Sequence, residues 1–124
     1  MDQTADPIVY VIDDDEAVRD ALTILLECCG MRVEGYGSIA EFSRAQHPQR
    51  KGCMILDLHL PGVSGLDYLA SRPSECEIPV IMISGKADAR VRACAERMGV
   101  LAFLEKPLSD EALLANIRAA FGRA

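Results

Sequence analysis

The stretch Ile8-Val9-Tyr10-Val11-Ile12-Asp13-Asp14-Asp15-Glu16 runs from five apolar residues straight into four carboxylates. A strand with one wet face alternates apolar and polar residues; an unbroken apolar run of strand length fits a strand buried on both faces of a parallel sheet. Acids directly after such a strand stand at its carboxyl end, where open α/β sheets bind their ligands. The pattern repeats outward from here. Residues 31–36, 53–56, 79–83 and 101–104 read as four more strands; those at 53 and 79 are apolar almost throughout, and that at 31 alternates, as suits an edge.

Helical spacing fills the intervals. Val18, Leu22, Leu25, Leu26 and Cys29 form an apolar stripe with Gly30 as its stop. Ser38-Ile39-Ala40-Glu41 has the form of a capping box opening a second helix. A short third helix follows Gly65 and ends before Pro73. Val91, Cys94, Ala95 and Met98 make a fourth stripe stopped by Gly99. Ser109, with Asp110 and Glu111, caps a fifth helix whose apolar face is Leu113, Leu114, Ile117, Ala120 and Phe121. Five βα units joined by right-handed crossovers predict a three-layer α/β/α sandwich.

The 124 residues suit one domain, residues 1–124, with an ordered core of about 8–122. Thirteen Lys plus Arg against 19 Asp plus Glu leave a net charge of -6, which works against binding nucleic acid or anionic lipid. No apolar run approaches the ~18 residues of a membrane span, and the polar, acidic start lacks the pattern of a signal peptide. A cytoplasmic protein is expected. Five cysteines (Cys28, Cys29, Cys53, Cys76, Cys94) show no C-x-x-C spacing, and reduced core thiols are the expected state.

The residues that leave the strands carry the chemistry. Strand 1 exits into Asp13 to Glu16, strand 3 into Asp57, strand 4 into Ser84-Gly85 and strand 5 into Glu105-Lys106-Pro107. Close carboxylates repel one another unless a cation sits among them, and hard oxygen ligands with room for water suit Mg²⁺. Asp57 precedes the loop-forming Leu58-His59-Leu60-Pro61-Gly62, so its carboxylate can stand exposed beside the metal as a nucleophile toward phosphorus. Lys106 offsets charge on a transferring phosphoryl group, and Ser84 can donate to its oxygen. Each feature taken singly has a plainer reading, as a helix-start charge, a turn or a chain exit. Their joint placement at the strand ends favours phosphoryl transfer to an aspartate.

The set I-Asp13-Asp14-Asp15-Glu16, L-Asp57-L-H-L-Pro61-Gly62-V-S-Gly65, I-Ser84-Gly85 and Phe103-L-E-Lys106-Pro107 resembles the receiver domain of two-component response regulators, most of all the FixJ and NarL type. The resemblance covers about residues 8–122. It implies a five-stranded parallel sheet of order 2-1-3-4-5, flavodoxin-like and CheY-like, with the acidic cluster at the switch point between strands 1 and 3. It implies that Asp57 is the phosphoacceptor and that Asp13, Asp14, Asp57 and the backbone carbonyl of His59 hold Mg²⁺. Lys106 and Ser84 would contact the phosphoryl group, Ser84 and Phe103 would be the switch pair, the hydroxyl swinging toward the phosphoryl group and the ring turning inward with it, and the Lys106-Pro107 bond would be cis.

The same resemblance implies partners. The phosphoryl donor is a phosphohistidine of a sensor histidine kinase or phosphotransfer protein, docking on helix 1 near Ala17, Val18 and Ala21 and on the loop at Pro107-Leu108. The output is a changed contact surface of helix 4, strand 5 and helix 5, with a possible homodimer there and a transcriptional output domain outside this chain. The domain is a switch rather than an enzyme, catalysing only its own phosphorylation and slow dephosphorylation. Two departures concern the partner surface: Val100 replaces a small residue, and helix 4 carries Arg90, Arg92 and Arg97. His59 and Lys86 lie two residues beyond Asp57 and Ser84 and are expected to set the lifetime of the phosphorylated form, His59 with a pH dependence between roughly 6 and 7.5.

Asp13-x-Asp15 also resembles the haloacid-dehalogenase phosphatase motif, but that family needs an acidic pair on a further strand after the lysine, and it leaves Asp57 unused. A pseudo-receiver would have lost an acid or the lysine. A zinc site from His47, Cys53 and His59 has no motif spacing.

Overall fold

The structure, a computed structural model, describes residues 7–45, 52–72, 78–86 and 88–122. Strands and helices alternate throughout: β1 (Ile8–Ile12), α1 (Glu16–Cys28), β2 (Arg32–Tyr36), α2 (Ile39–Arg44), β3 (Gly52–Asp57), α3 (Gly65–Ser71), β4 (Val80–Ser84), α4 (Ala89–Arg97), β5 (Ala102–Glu105) and α5 (Asp110–Phe121). All strand pairs are parallel and the order is β2-β1-β3-β4-β5, as the resemblance implied.

β1, β3 and β4 are buried along their whole lengths because helices cover both faces of the sheet. The period of two divides their side chains between two cores. Ile8, Tyr10, Ile12, Met54, Leu56, Val80 and Met82 pack under α2, α3 and α4, while Val9, Val11, Cys53, Ile55, Ile81 and Ile83 pack under α1 and α5. Each such isoleucine or leucine contributes roughly 1.5–3 kcal/mol relative to exposure. A one-residue slip of β1 would exchange its two sets and misplace Asp13 as well.

The helix starts follow their caps. Asp15 accepts from the N–H groups of Ala17 and Val18, Ser38 from Glu41, Ser64 from Asp67, Asp88 from Arg90 and Ser109 from Ala112. The Ser38 box closes one residue early, because Glu41 accepts from Gly37 N–H at 3.2 Å. Gly30 and Gly99, with φ of 82° and 91°, turn the chain out of α1 and α4 as expected.

Several expectations need correction. β2 begins at Arg32 and β5 at Ala102, each one residue late, while β3 extends to Gly52 and Asp57 and β4 runs Val80–Ser84. Strand ends are decided by pairing, which apolarity alone does not report. Core burial holds for Cys53 but fails for Cys28 and Cys29, which are exposed at the C-terminal end of α1, and Cys94 is only half-buried. Met98, placed on the α4 stripe, is 39% exposed because it caps the helix beyond the core. His47 and Cys76 lie outside the described residues.

Candidate functional site

Strand register assembles the site. Ile12 pairs with Leu56, so Asp13 and Asp57 leave adjacent strands side by side at the switch point. Asp57 pairs with Ile83, and Ser84 with Glu105, which brings the ends of β4 and β5 alongside. The Lys106 N–H donates to the Ser84 carbonyl at 2.8 Å, carrying the lysine back over the sheet edge, and the Lys106-Pro107 bond is cis as expected.

Lys106 Nζ donates to Asp13 Oδ2 at 3.0 Å and to Asp57 Oδ2 at 3.4 Å, joining residues 93 and 49 positions away. The second oxygens are held by backbone: Asp13 Oδ1 accepts from Asp15 N–H at 2.9 Å and Asp57 Oδ1 from His59 N–H at 3.1 Å. Burial pushes the Asp57 carboxyl above the usual range; the His59 N–H bond opposes this, the Asp13 charge adds to it, and Lys106 only partly offsets it. For Lys106 burial works downward, but the hydrogen bond and charge of Asp13, then those of Asp57, outweigh it and raise the ammonium.

The site opens into a cleft of about 540 Å³ lined by Asp13, Asp14, Asp57, His59, Lys86 and Lys106, among others. Oxygens of Asp13, Asp14 and Asp57 lie within 4.8 Å of one another, Asp14 exposed and the other two buried. Anionic oxygen donors beside a cleft with room for water are the ligand chemistry of a hard divalent cation, so this acidic cluster can bind a metal such as Mg²⁺. Among the described residues no other group of acids, cysteines or histidines converges in this way. The rejected zinc site finds no support, since Cys53 is fully buried with its thiol pushed up to about 12 by burial, while His59 is exposed.

Ser84 is fully buried, and its hydroxyl is turned into its own loop, donating to the Lys86 carbonyl at 2.7 Å and accepting from Lys86 N–H at 3.1 Å. Phe103, expected to turn inward only on switching, is already buried here at 4% exposure, packed into the core cluster that includes Ala95 of α4. His59 and Lys86 are both exposed and both line the cleft.

Arg19 escaped the sequence reading. Its Nη1 donates to the Asp13 backbone carbonyl at 2.7 Å, bracing the strand end that presents the carboxylate. Its signal was an arginine at helical spacing with Leu22 and Leu26, on the face that should be apolar. Arg92, read only as part of a basic surface, lies over the Phe103 ring. Asp15 caps α1 and also lines the cleft beside Asp13 and Asp14.

A parallel 2-1-3-4-5 sheet with an acidic trio and a lysine at its carboxyl edge defines a receiver-type signalling domain. Residues 9–118 match the family described as response regulator receiver domain, and the chain belongs to that family. It is 40% identical over 116 residues to the transcriptional regulatory protein FixJ of Azorhizobium caulinodans, covering 93% of this chain and 55% of that protein. It is 38% identical over 117 residues to nodulation protein W of Bradyrhizobium diazoefficiens, covering 94% and 52%. The chain thus spans about half the length of these curated relatives. The solved structure of FixJ-N superposes with a TM-score of 0.84 at 30% identity, covering 96% of each chain. Among the described residues no helix is long and apolar enough to cross a membrane.

Proposed function

We propose that this chain is one receiver domain, residues 1–124, that takes a phosphoryl group onto Asp57 from a phosphohistidine of a sensor histidine kinase or phosphotransfer protein. The observation that carries the reading is Lys106 Nζ within reach of both Asp13 and Asp57 at the floor of the cleft. An Asp57 carboxylate oxygen forms the bond to phosphorus, and the P–N bond breaks with its electron pair going to the imidazole of the donor. Lys106 then faces the equatorial phosphoryl oxygens and offsets their charge. Asp13, Asp14, Asp57 and the His59 carbonyl would hold Mg²⁺, which when bound neutralises charge on the phosphoryl oxygens.

In dephosphorylation water attacks phosphorus, the bond to the Asp57 oxygen breaks, and inorganic phosphate leaves the restored carboxylate, with His59 and Lys86 at the rim modulating the approach of the water. Transfer and slow hydrolysis are the domain's only chemistry; it is a switch, not an enzyme acting on separate substrates. Ser84 leaves its bonds to Lys86 for the phosphoryl oxygen, and Phe103 moves with it to alter the surface of α4, β5 and α5. That surface is the site of homodimer contact and of control over a transcriptional output domain. The donor docks on α1, where Ala17 and Ala21 are exposed near Val18, and on the loop at Pro107-Leu108. The domain works in the cytoplasm and, at a net charge of -6, makes no direct contact with DNA or membrane.

The test is phosphoryl incorporation from acetyl phosphate with Mg²⁺. Asp57→Asn is expected to abolish it, because an amide is a poor nucleophile and forms no acyl phosphate. Undiminished labelling of the variant would overturn the assignment.

A further inference from the structure

Arg92 sits on α4, half-exposed, and makes three contacts at once. Its guanidinium carbon lies 5.6 Å from the centre of the Phe103 ring. Its Nη2 donates to the Phe103 carbonyl at 3.4 Å, and its Nε lies 3.6 Å from Glu96 Oε2, one turn along the helix. β5 is the edge of the sheet, and among the described residues no further strand supplies donors along its outer side. The arginine therefore holds both the ring and the backbone of one residue, while Glu96 keeps the guanidinium in place. Below the ring lies the apolar layer formed by Met82, Ala95 and their neighbours.

We infer that Arg92 is a positioning residue that latches Phe103 in its buried place and ties it to α4. A planar cation over an aromatic face is favourable only while the ring stays beneath it, and the carbonyl contact fixes the strand in the same register. Outward rotation of Phe103 must break the ring contact. Arg92 thus sets how readily the ring leaves, and it makes any movement of the ring felt by α4, without touching Asp57 or the acidic cluster. The inference rests on the reading of Ser84 and Phe103 as the switch only in its consequence for signalling; the latch itself is a property of the unphosphorylated chain.

The test uses the full chain with 4-fluorophenylalanine in place of Phe42, Phe103 and Phe121, the Phe103 resonance being identified by its loss in Phe103→Leu. Solvent exposure of that ring is read from the shift of its ¹⁹F signal between H₂O and D₂O. Arg92→Met keeps the apolar stem but removes the charge and the donor; it is expected to raise the exposed-ring population about two- to fivefold, the size of a partly exposed cation–π contact. Arg92→Lys keeps a cation over the ring and is expected to fall nearer the parent, which loss of helix packing alone would not produce. Equal Phe103 signals in the parent and Arg92→Met would overturn the latch, as would a lysine variant indistinguishable from the methionine one. Failure of the switch reading looks different: beryllofluoride with Mg²⁺ would leave the parent's Phe103 signal unmoved while Arg92→Met still departed from it.

Discussion

Asp57 is a carboxyl at 3% exposure beside a second buried carboxylate, and so it is poorly solvated when ionised. The proposed attack on phosphorus needs it ionised. Its folded value lies above that of the unfolded chain, for burial first and the Asp13 charge after it. The protonated form is therefore favoured in the fold. This group's contribution is fully present below the unfolded value of about 3.9 and is lost as pH rises through the folded value. At neutral pH the ionised side chain lowers stability, and Asp57→Asn removes that burden. In metal-free buffer the variant should melt above the parent at pH 7, and the gap should narrow as the pH falls toward 4. Thermal denaturation across that range checks this; a gap that widens on acidification would mean that Lys106 stabilises the carboxylate more than burial harms it.

At the scale of the element, the end of β3 depends on how closely α3 comes to it. Gly65 opens α3, and a Cβ there would stand 2.7 Å from the Asp57 carbonyl oxygen and 3.1 Å from Leu58 Cα, both backbone atoms that cannot swing aside. The requirement is space rather than unusual dihedral angles. Gly65→Ala should cost about 1–3 kcal/mol, as overpacking a tight contact does, and should slow phosphoryl incorporation by displacing Asp57. Gly85 at the end of β4 is the control, since a Cβ there meets nothing within 4 Å. Urea denaturation should separate the two variants clearly. Equal midpoints would mean that the strand end yields without strain.

For the whole molecule the dominant electrostatic feature is the concentration of negative charge at one sheet edge of a chain with net charge -6. A divalent ion bound there should stabilise the fold by mass action, by about 2.7 kcal/mol when its concentration is a hundred times its dissociation constant. Magnesium titration followed by melting temperature should show this gain in the parent and lose it in Asp13→Asn, which removes one of the three carboxylates. An equal response in both chains would place the ion elsewhere.

Much of this was legible in the chain itself. The apolar runs at 8–12 and 79–83 mark doubly covered strands because a parallel sheet hides both faces, and the caps Ser38 and Ser109 mark helix starts because orphan N–H groups need local acceptors. Asp13, Asp57, Ser84 and Lys106 were visible as polar residues at the ends of apolar runs, although pairing extends β3 and β4 to include Asp57 and Ser84. Interactions across distant segments were not legible. Nothing in the local pattern tells that Arg19 braces the Asp13 carbonyl, that Arg92 covers Phe103, or that the Ser84 hydroxyl is turned into the Lys86 backbone. The exposure of Cys28 and Cys29 likewise depends on what packs against the last turn of α1. Local pattern determines which elements form and what they present, because caps and periodicity act over a few residues. Only tertiary structure decides which long side chains meet, because arginine and lysine reach across elements to whatever packing has placed there.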